Sequence, residues 1–306
     1  MARPKHLIEY GIYRSLLMLV RLLPYGAMRP MGRQIGNLMH RLDHRHRWVA
    51  LNNLQLALPD VAPEERARLA KRCFQHFGEM VLDNLALPRF DAVALCRLLT
   101  LEDWENLDRA EAAGRGVLII SAHFGNWEVL AHPMAIYRGG MHMVARTPDN
   151  PLLADDLRRM RERFGNRVIP KRRSGRRILQ ALREGGKVVI VMDQRVHPNE
   201  GIEVPFFGHG AITTPLPAKL SLRTGAPAVP MFAYPRAGGG FRVVARPPIE
   251  PEGSGPEAIA ALTARYNAAI EAEVRRDPEM WLWMHERWIW LEGHPRWRET
   301  RSHSIP

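Results

Sequence analysis

The sequence predicts an α/β protein: a mostly parallel central sheet flanked by helices, with a helical N-terminal region and C-terminal helices. Three observations carry this. Residues 1–110 place apolar side chains at three-to-four spacing, with proline at the breaks. From Gly114 to about Pro248, short β-branched runs alternate with helical patterns, the order expected of a parallel sheet covered on both faces. Beyond Pro256 the helical period returns.

The elements follow in order. Leu7–Leu23 is an apolar stretch interrupted by Glu9, Arg14 and Arg21. It is too broken for a membrane-crossing helix, which needs about 20 apolar residues. It reads as an amphipathic helix lying in a membrane interface, or as a surface helix packed on the core; Tyr10, Tyr13, Tyr25 and the basic flanks favour the interface. Pro24–Gly36 reads as a turn-rich break, and Leu38–Leu58 as a helix with Arg41, Arg45 and Arg47 between its apolar positions. Pro63-Glu-Glu opens the next helix with proline and acids in its first turn. His76 on that helix reads as a surface or partly buried histidine. Leu95–Leu99 and Leu101–Ala113 read as shorter helices.

Strands are predicted at Val117–Ser121, Met141–Ala145, Arg167–Ile169, Val188–Met192, Ala228–Ala233 and Phe241–Ala245. Helices are predicted between them at Glu128–Tyr137, Pro151–Phe164, Ser174–Arg183 and Pro217–Thr224, then at Pro256–Arg276 and Pro278–Glu292. The organisation is thus an N-terminal membrane-associating segment, 1–30, and a single domain, 31–306. Within that domain, 31–113 is helical, 114–248 is the α/β core and 256–292 supplies the last helices.

At 306 residues, 46% hydrophobic and 25% charged, the chain has ample material for a core. Its net charge of +12 calls for an anionic partner: a phospholipid surface, nucleic acid, or an acidic protein or ligand. Cys73 and Cys96 supply neither a disulfide framework nor a zinc spacing. No secretory signal is visible.

The chemistry concentrates at Gly116–Glu128. An apolar run, Val117–Ile120, passes into a polar turn carrying His123, Gly125, Asn126 and Glu128, where a strand hands over to a helix. Glu128, five residues on, can accept from one imidazole nitrogen of His123 and leave the other free as a base. Such a pair suits removal of a hydroxyl proton during attack on an ester or thioester carbonyl. Gly125 and Asn126 permit a tight turn and offer backbone donors for a developing oxyanion. Ser121 lacks the Gly-x-Ser-x-Gly setting of a nucleophile elbow, and His132, His142, His197 and His209 show no metal-ligand spacing. No metal or other cofactor is called for.

His123-Phe-Gly-Asn-Trp-Glu128 resembles the His-x4-Glu box of the lipid A biosynthesis lauroyl/myristoyl acyltransferases, a branch of the lysophospholipid acyltransferase superfamily. Further blocks resemble that family in order: Trp48–Leu54, Arg146–Pro151, Val191–Gln194, Val204–Gly208, Thr224–Pro230 and Trp283–Trp288. The resemblance implies His123 as general base oriented by Glu128, with Arg146 on a phosphate of the acceptor or donor. If the sheet is parallel, Asp193 and Gln194 end a buried strand on the same edge as Ser121 and His123, where Asp193 orients Arg195, binds a sugar hydroxyl or holds a loop. Phe206, Phe207 and Gly208 border an acyl groove or fill core. Arg287 is a second candidate phosphate ligand. Trp281, Trp283, Trp288 and Trp290 are core or an interfacial belt.

Arg158–Arg177 holds ten Lys or Arg against one acid, Glu162. That run suits two anionic partners that the resemblance implies, a phosphorylated glycolipid acceptor and acyl carrier protein as donor, at the cytoplasmic face of an inner membrane. Nucleic acid is not expected, because no aromatic interleaving accompanies the run. Two alternatives stay open: an acyl-CoA-dependent transferase on another glycolipid, and a non-catalytic basic membrane-binding protein.

Overall fold

The computed structural model describes residues 3–288. Four helices come first: α1 (Pro4–Leu22), α2 (Met28–Leu42), α3 (His44–Ala57) and α4 (Pro63–Ala86). They are followed by α5 (Ala92–Leu98), β1 (Leu99–Glu102), α6 (Glu105–Ala112), β2 (Val117–Ser121), α7 (Ala131–Arg138), β3 (His142–Ala145), α8 (Pro151–Arg161), β4 (Arg167–Pro170), α9 (Gly175–Arg183) and β5 (Lys187–Val191). A hairpin, β6 (Ile202–Phe206) and β7 (His209–Thr213), precedes α10 (Leu216–Thr224), β8 (Ala228–Pro235), β9 (Phe241–Ala245) and α11 (Gly255–Arg276).

The main sheet has the order β1-β9-β8-β2-β5-β3-β4. From β8 to β4 all pairings are parallel; β9 runs antiparallel to β8 and parallel to β1. Strand β2 lies between β8 and β5, so the chain crosses β5 to make β3 and returns to fill the gap. The C-terminal ends of β2 and β5 therefore lie side by side on one edge of the sheet, where α/β sheets place their ligand sites. All five residues of β2 are buried. Leu118 and Ile120 face one core with α4, α9 and α11; Val117 and Ile119 face the other with α6 and α7. Alternation of side chains along a strand thus splits one run of sequence between two apolar layers.

Helices α2 and α4 touch backbone to backbone. Cβ atoms added at Gly32, Gly36 or Gly78 would overlap main-chain atoms of the opposite helix. This seam buries one side of α2 and leaves Met31, Ile35, Leu38, Met39 and Leu42 exposed along another.

Several expectations are corrected. The predicted break at Pro24–Gly36 is mostly helix, because the glycines serve contact with α4 rather than turning. The predicted helix at 101–113 gives up Leu101 and Glu102 to edge strand β1, whose partners on β9 lie far away in sequence. The β6–β7 hairpin was not foreseen. The predicted helix at Pro278–Glu292 is a single 3-10 turn, Pro278–Met280, followed by an irregular path to residue 288. Besides short-range turns of its own, its backbone pairs with the turn after β2: Gly125 N–H donates to Met280 O at 2.9 Å and Leu282 N–H to His123 O at 3.0 Å. Trp281, Trp283 and Trp288 are at most 1% exposed and pack with Phe206 and Phe207, so these five rings are core. Trp290 lies outside the described residues.

Candidate active site

Strand register builds the site. In the β2–β5 pair Ser121 stands opposite Val191. His123 and Asp193 each lie two residues further on, and a period of two returns both to one side of neighbouring strands. The His123 Nδ1–Asp193 Oδ1 distance is 2.8 Å, and the His123 backbone N–H donates to Asp193 Oδ2 at 3.0 Å. Trp281 Nε1–H donates to the same Oδ2 at 2.8 Å. Asp193 is buried. Burial opposes its charge, but the adjacent His123 ring and the hydrogen bonds from His123 and Trp281 outweigh burial and hold the carboxyl below its usual range.

With Nδ1 committed to a carboxylate, Nε2 is the imidazole nitrogen left to take a proton. The His123 side chain is 22% exposed, and its ring packs edge-on to Trp127 with centroids 4.8 Å apart. Asp193 therefore holds the position expected of Glu128. Both Glu128 carboxylate oxygens are turned to Arg161 of α8, at 2.6 and 3.0 Å. The reason is local: the chain leaves His123 through a bridge to β8 and starts a 3-10 turn at Trp127, which directs Glu128 toward α8.

The expected oxyanion donors are also corrected. Gly125 N–H is bound to Met280 O, and Asn126 N–H to Ala233 O at 2.9 Å. Gly125 has φ +56°, and a Cβ there would collide with the Ala233 carbonyl, so this position fits the turn onto β8. The Asn126 side chain is buried, and neither amide atom has a partner among the described residues. His76 is partly buried, as expected, and its Nε2 lies 3.1 Å from Gly125 O, tying α4 to the same turn.

The remaining candidates divide. Arg146 stands at the end of β3, exposed, 3.7 Å from Asp149, and lines a cavity of about 300 Å³ with Arg158 and Arg161. Gln194 follows Asp193. Arg195 donates from its backbone to His285 Nε2 at 3.3 Å and from Nη2 to Glu286 at 3.4 Å. Burial pushes His285 down to about 4, so it stands neutral as an acceptor. Arg287 is 1% exposed; its guanidinium donates to Ile212 O at 2.7 Å and Thr213 Oγ1 at 2.6 Å. It is a strut of the hairpin, not an exposed phosphate ligand.

An apolar groove of about 500 Å³ runs between α2 and α4, with Ile35, Met39, Phe77 and Val81 at its walls and Leu282 and His285 among its lining. Leu282 is the residue bonded to His123 O, so the groove reaches the residues that hold the base. Among the described residues no helix is long and apolar enough to cross a membrane, and no group of three or more His, Cys, Asp or Glu could hold a metal ion.

The family model "Bacterial lipid A biosynthesis acyltransferase" matches residues 3–289. The chain is similar to the lipid A biosynthesis lauroyltransferase of Escherichia coli (strain K12), 27% identical over 95% of this chain and 92% of the relative. It is 26% identical to the lipid A biosynthesis palmitoleoyltransferase of the same organism, over 87% of this chain and 86% of the relative. A phosphatidylinositol mannoside acyltransferase of Mycobacterium tuberculosis (strain ATCC 25618 / H37Rv) is 28% identical over 74% of this chain and 72% of the relative. With a strand-end histidine, an apolar groove beside it and a family match over nearly its whole length, the chain belongs to the bacterial lipid A biosynthesis acyltransferase family and is an acyltransferase.

Proposed function

We propose that this enzyme moves a fatty acyl chain from acyl carrier protein to a hydroxyl of a phosphorylated lipid A precursor at a membrane surface. The observation that carries the mechanism is His123, with Nδ1 on buried Asp193 and Nε2 left for the substrate. His123 Nε2 takes the proton of the acceptor hydroxyl as its oxygen attacks the thioester carbonyl carbon. The C–O bond forms, the C–S bond breaks, and the proton passes from His123 to the departing thiolate. Asp193 holds the ring and stabilises the imidazolium formed in between. Glu128 acts on this site at one remove, by fixing Arg161 and α8 against the catalytic turn.

The groove between α2 and α4 takes the acyl chain, which is apolar throughout. Arg146, exposed at the end of β3, supplies a guanidinium for a phosphate. Arg167, Lys171, Arg172, Arg173, Arg176 and Arg177 are exposed and make no ion pair among the described residues. They form a surface suited to acidic acyl carrier protein.

The test is transfer by purified protein, with acyl carrier protein or coenzyme A thioesters as donors and a phosphorylated lipid A precursor as acceptor, products read by mass. Acylated glycolipid from the carrier-protein donor, lost in His123→Ala, is expected. Efficient transfer from the coenzyme A donor alone would replace the donor assignment; no transfer from either by folded protein would overturn the reading.

A further inference from the structure

A second cavity, polar and about 770 Å³, lies where the first half of α2 faces α4 and the β8–β9 loop. It shares no lining residue with the apolar groove, although both lie along α2 and α4. Three guanidiniums, Arg29, Arg33 and Arg236, meet two carboxylates, Glu79 and Asp83. Arg29 is consumed by structure: it binds Asp83 at 3.0 Å and the carbonyls of Arg236 and Gly240. Arg33 spends Nε on Glu79 at 2.7 Å and Arg236 spends Nη1 on Thr100 at 2.8 Å. Among the described residues, both Nη groups of Arg33 and two nitrogens of Arg236 are left without a partner. In the loop, Gly239 N–H closes a turn onto Arg236 O at 3.0 Å, while the exposed Ala237 and Gly238 amides make no backbone hydrogen bond among the described residues. Guanidinium forks beside open amides suit an anionic oxygen group.

The cavity adjoins the catalytic turn. Ala233 accepts from Asn126 N–H, and Pro235, two residues later, lines the cavity. On the helical wall, His76 binds Gly125 O, and Glu79 lines the cavity one turn on. The exposed apolar stripe of α2 runs along the same helix. A lipid whose tails lie against that stripe would present its headgroup to the cavity and its hydroxyl to His123. The geometry points to this cavity as the seat of the acceptor's phosphorylated sugar headgroup, with Arg33 and Arg236 as the phosphate ligands; this rests on the acyltransfer reading above. Its volume lies within the usual range of small-molecule sites.

The experiment compares wild type with the Arg33→Gln/Arg236→Gln double variant on a phosphorylated glycolipid acceptor and its dephosphorylated counterpart. Hydrolysis of the donor thioester without acceptor checks the catalytic centre, and Arg33→Lys checks folding at the Glu79 contact. The expected result is a KM for the phosphorylated acceptor raised at least 10-fold, with kcat, donor KM and the dephosphorylated acceptor little changed. Calorimetric titration with glucose 1-phosphate is expected to give binding that the double variant loses. If the variant keeps the wild-type preference for the phosphorylated acceptor, the cavity is not the headgroup site. Equal affinity for inorganic phosphate and glucose 1-phosphate would make it a free-phosphate site and overturn the headgroup assignment. If wild type transfers to no acceptor, the acyltransfer reading fails, and the glucose 1-phosphate titration still decides whether the cavity binds a sugar phosphate.

Discussion

His123 and Asp193 are 70 residues apart in sequence and 2.8 Å apart in the site, joined because β2 and β5 pair in parallel with Ser121 opposite Val191. Each side chain stands two residues past the paired position. Nothing else in the turn is needed to bring them together. Trp281, from the far end of the chain, then closes the carboxylate from a third direction.

Asp193→Asn is therefore expected to cost more than any other single change outside His123. The amide removes the charge that stabilises the imidazolium, and kcat should fall by about 10³–10⁴ with binding of both substrates largely kept. Stability carries a second signature. The Asp193 carboxyl is held below its usual range, so its contribution is fully present above the unfolded value near 3.9 and is lost as pH falls through the folded one. The gap in stability between wild type and Asp193→Asn should hold at pH 5 and above and narrow as pH falls below about 4. Chemical denaturation across that range measures it; a constant gap would remove the carboxylate from the argument.

How far the sequence discloses this site depends on which residues one asks about. The strand Val117–Ser121 and the histidine after it are legible, because a buried β-branched run ending in a polar turn has few other readings. The partner is harder. Glu128 and Asp193 are both carboxylates near strand ends, and sequence proximity favours Glu128. Only register distinguishes them, and the usable signal was the matching pattern Ile-Ile-Ser-Ala-His and Val-Ile-Val-Met-Asp, each placing its polar residue at the same step beyond the strand. Strand β1 and the irregular tryptophan segment were not legible, since long-range pairing creates them. The α2–α4 seam hid for a related reason: Gly32 and Gly36 read as turn residues until Gly78 is seen against them.

Glu128 and Arg161 should behave as one unit. The two side chains are 19% and 18% exposed and joined by two hydrogen bonds. Glu128→Gln and Arg161→Met are each expected to lower kcat/KM by about 10–10², and the double variant to be little worse than either, a coupling of roughly 1–3 kcal/mol in the cycle. Independent, additive losses would separate the two residues. Because Glu128 does not touch the His123 ring, Glu128→Gln should retain far more activity than His123→Ala.

The glycine seam makes a stability prediction with an internal control. Gly78→Ala places a methyl group against the Gly32 carbonyl, and neither helix can yield without moving its backbone. A loss of roughly 1–3 kcal/mol is expected, the usual cost of overpacking. Gly11→Ala, in α1 with nothing within 4 Å of the added Cβ, should instead gain about 0.5–1 kcal/mol from helix propensity. Urea denaturation of the two variants measures both signs.

The exposed apolar surface is not spread evenly. Of seventeen exposed large hydrophobics among the described residues, twelve fall on α1 and α2, from Leu7 to Leu42. Residues 3–47 also carry nine Lys or Arg against Glu9 and Asp43. Apolar side chains amid an excess of cations are what an anionic bilayer surface attracts: each Leu or Ile fully buried contributes about 1.5–3 kcal/mol, and each nearby cation about 1 kcal/mol. Leu38→Glu together with Leu42→Glu, both exposed and outside the lining of the acyl groove, is expected to reduce cosedimentation with vesicles containing anionic phospholipid by at least tenfold. Turnover of a short-chain, water-soluble acceptor should stay near wild type, because neither residue contacts His123 or Asp193. Raising salt should weaken the wild-type interaction without abolishing it, as screening removes the cationic part and spares the apolar part. Vesicle binding unchanged in the double variant would move the membrane contact to another face of the protein.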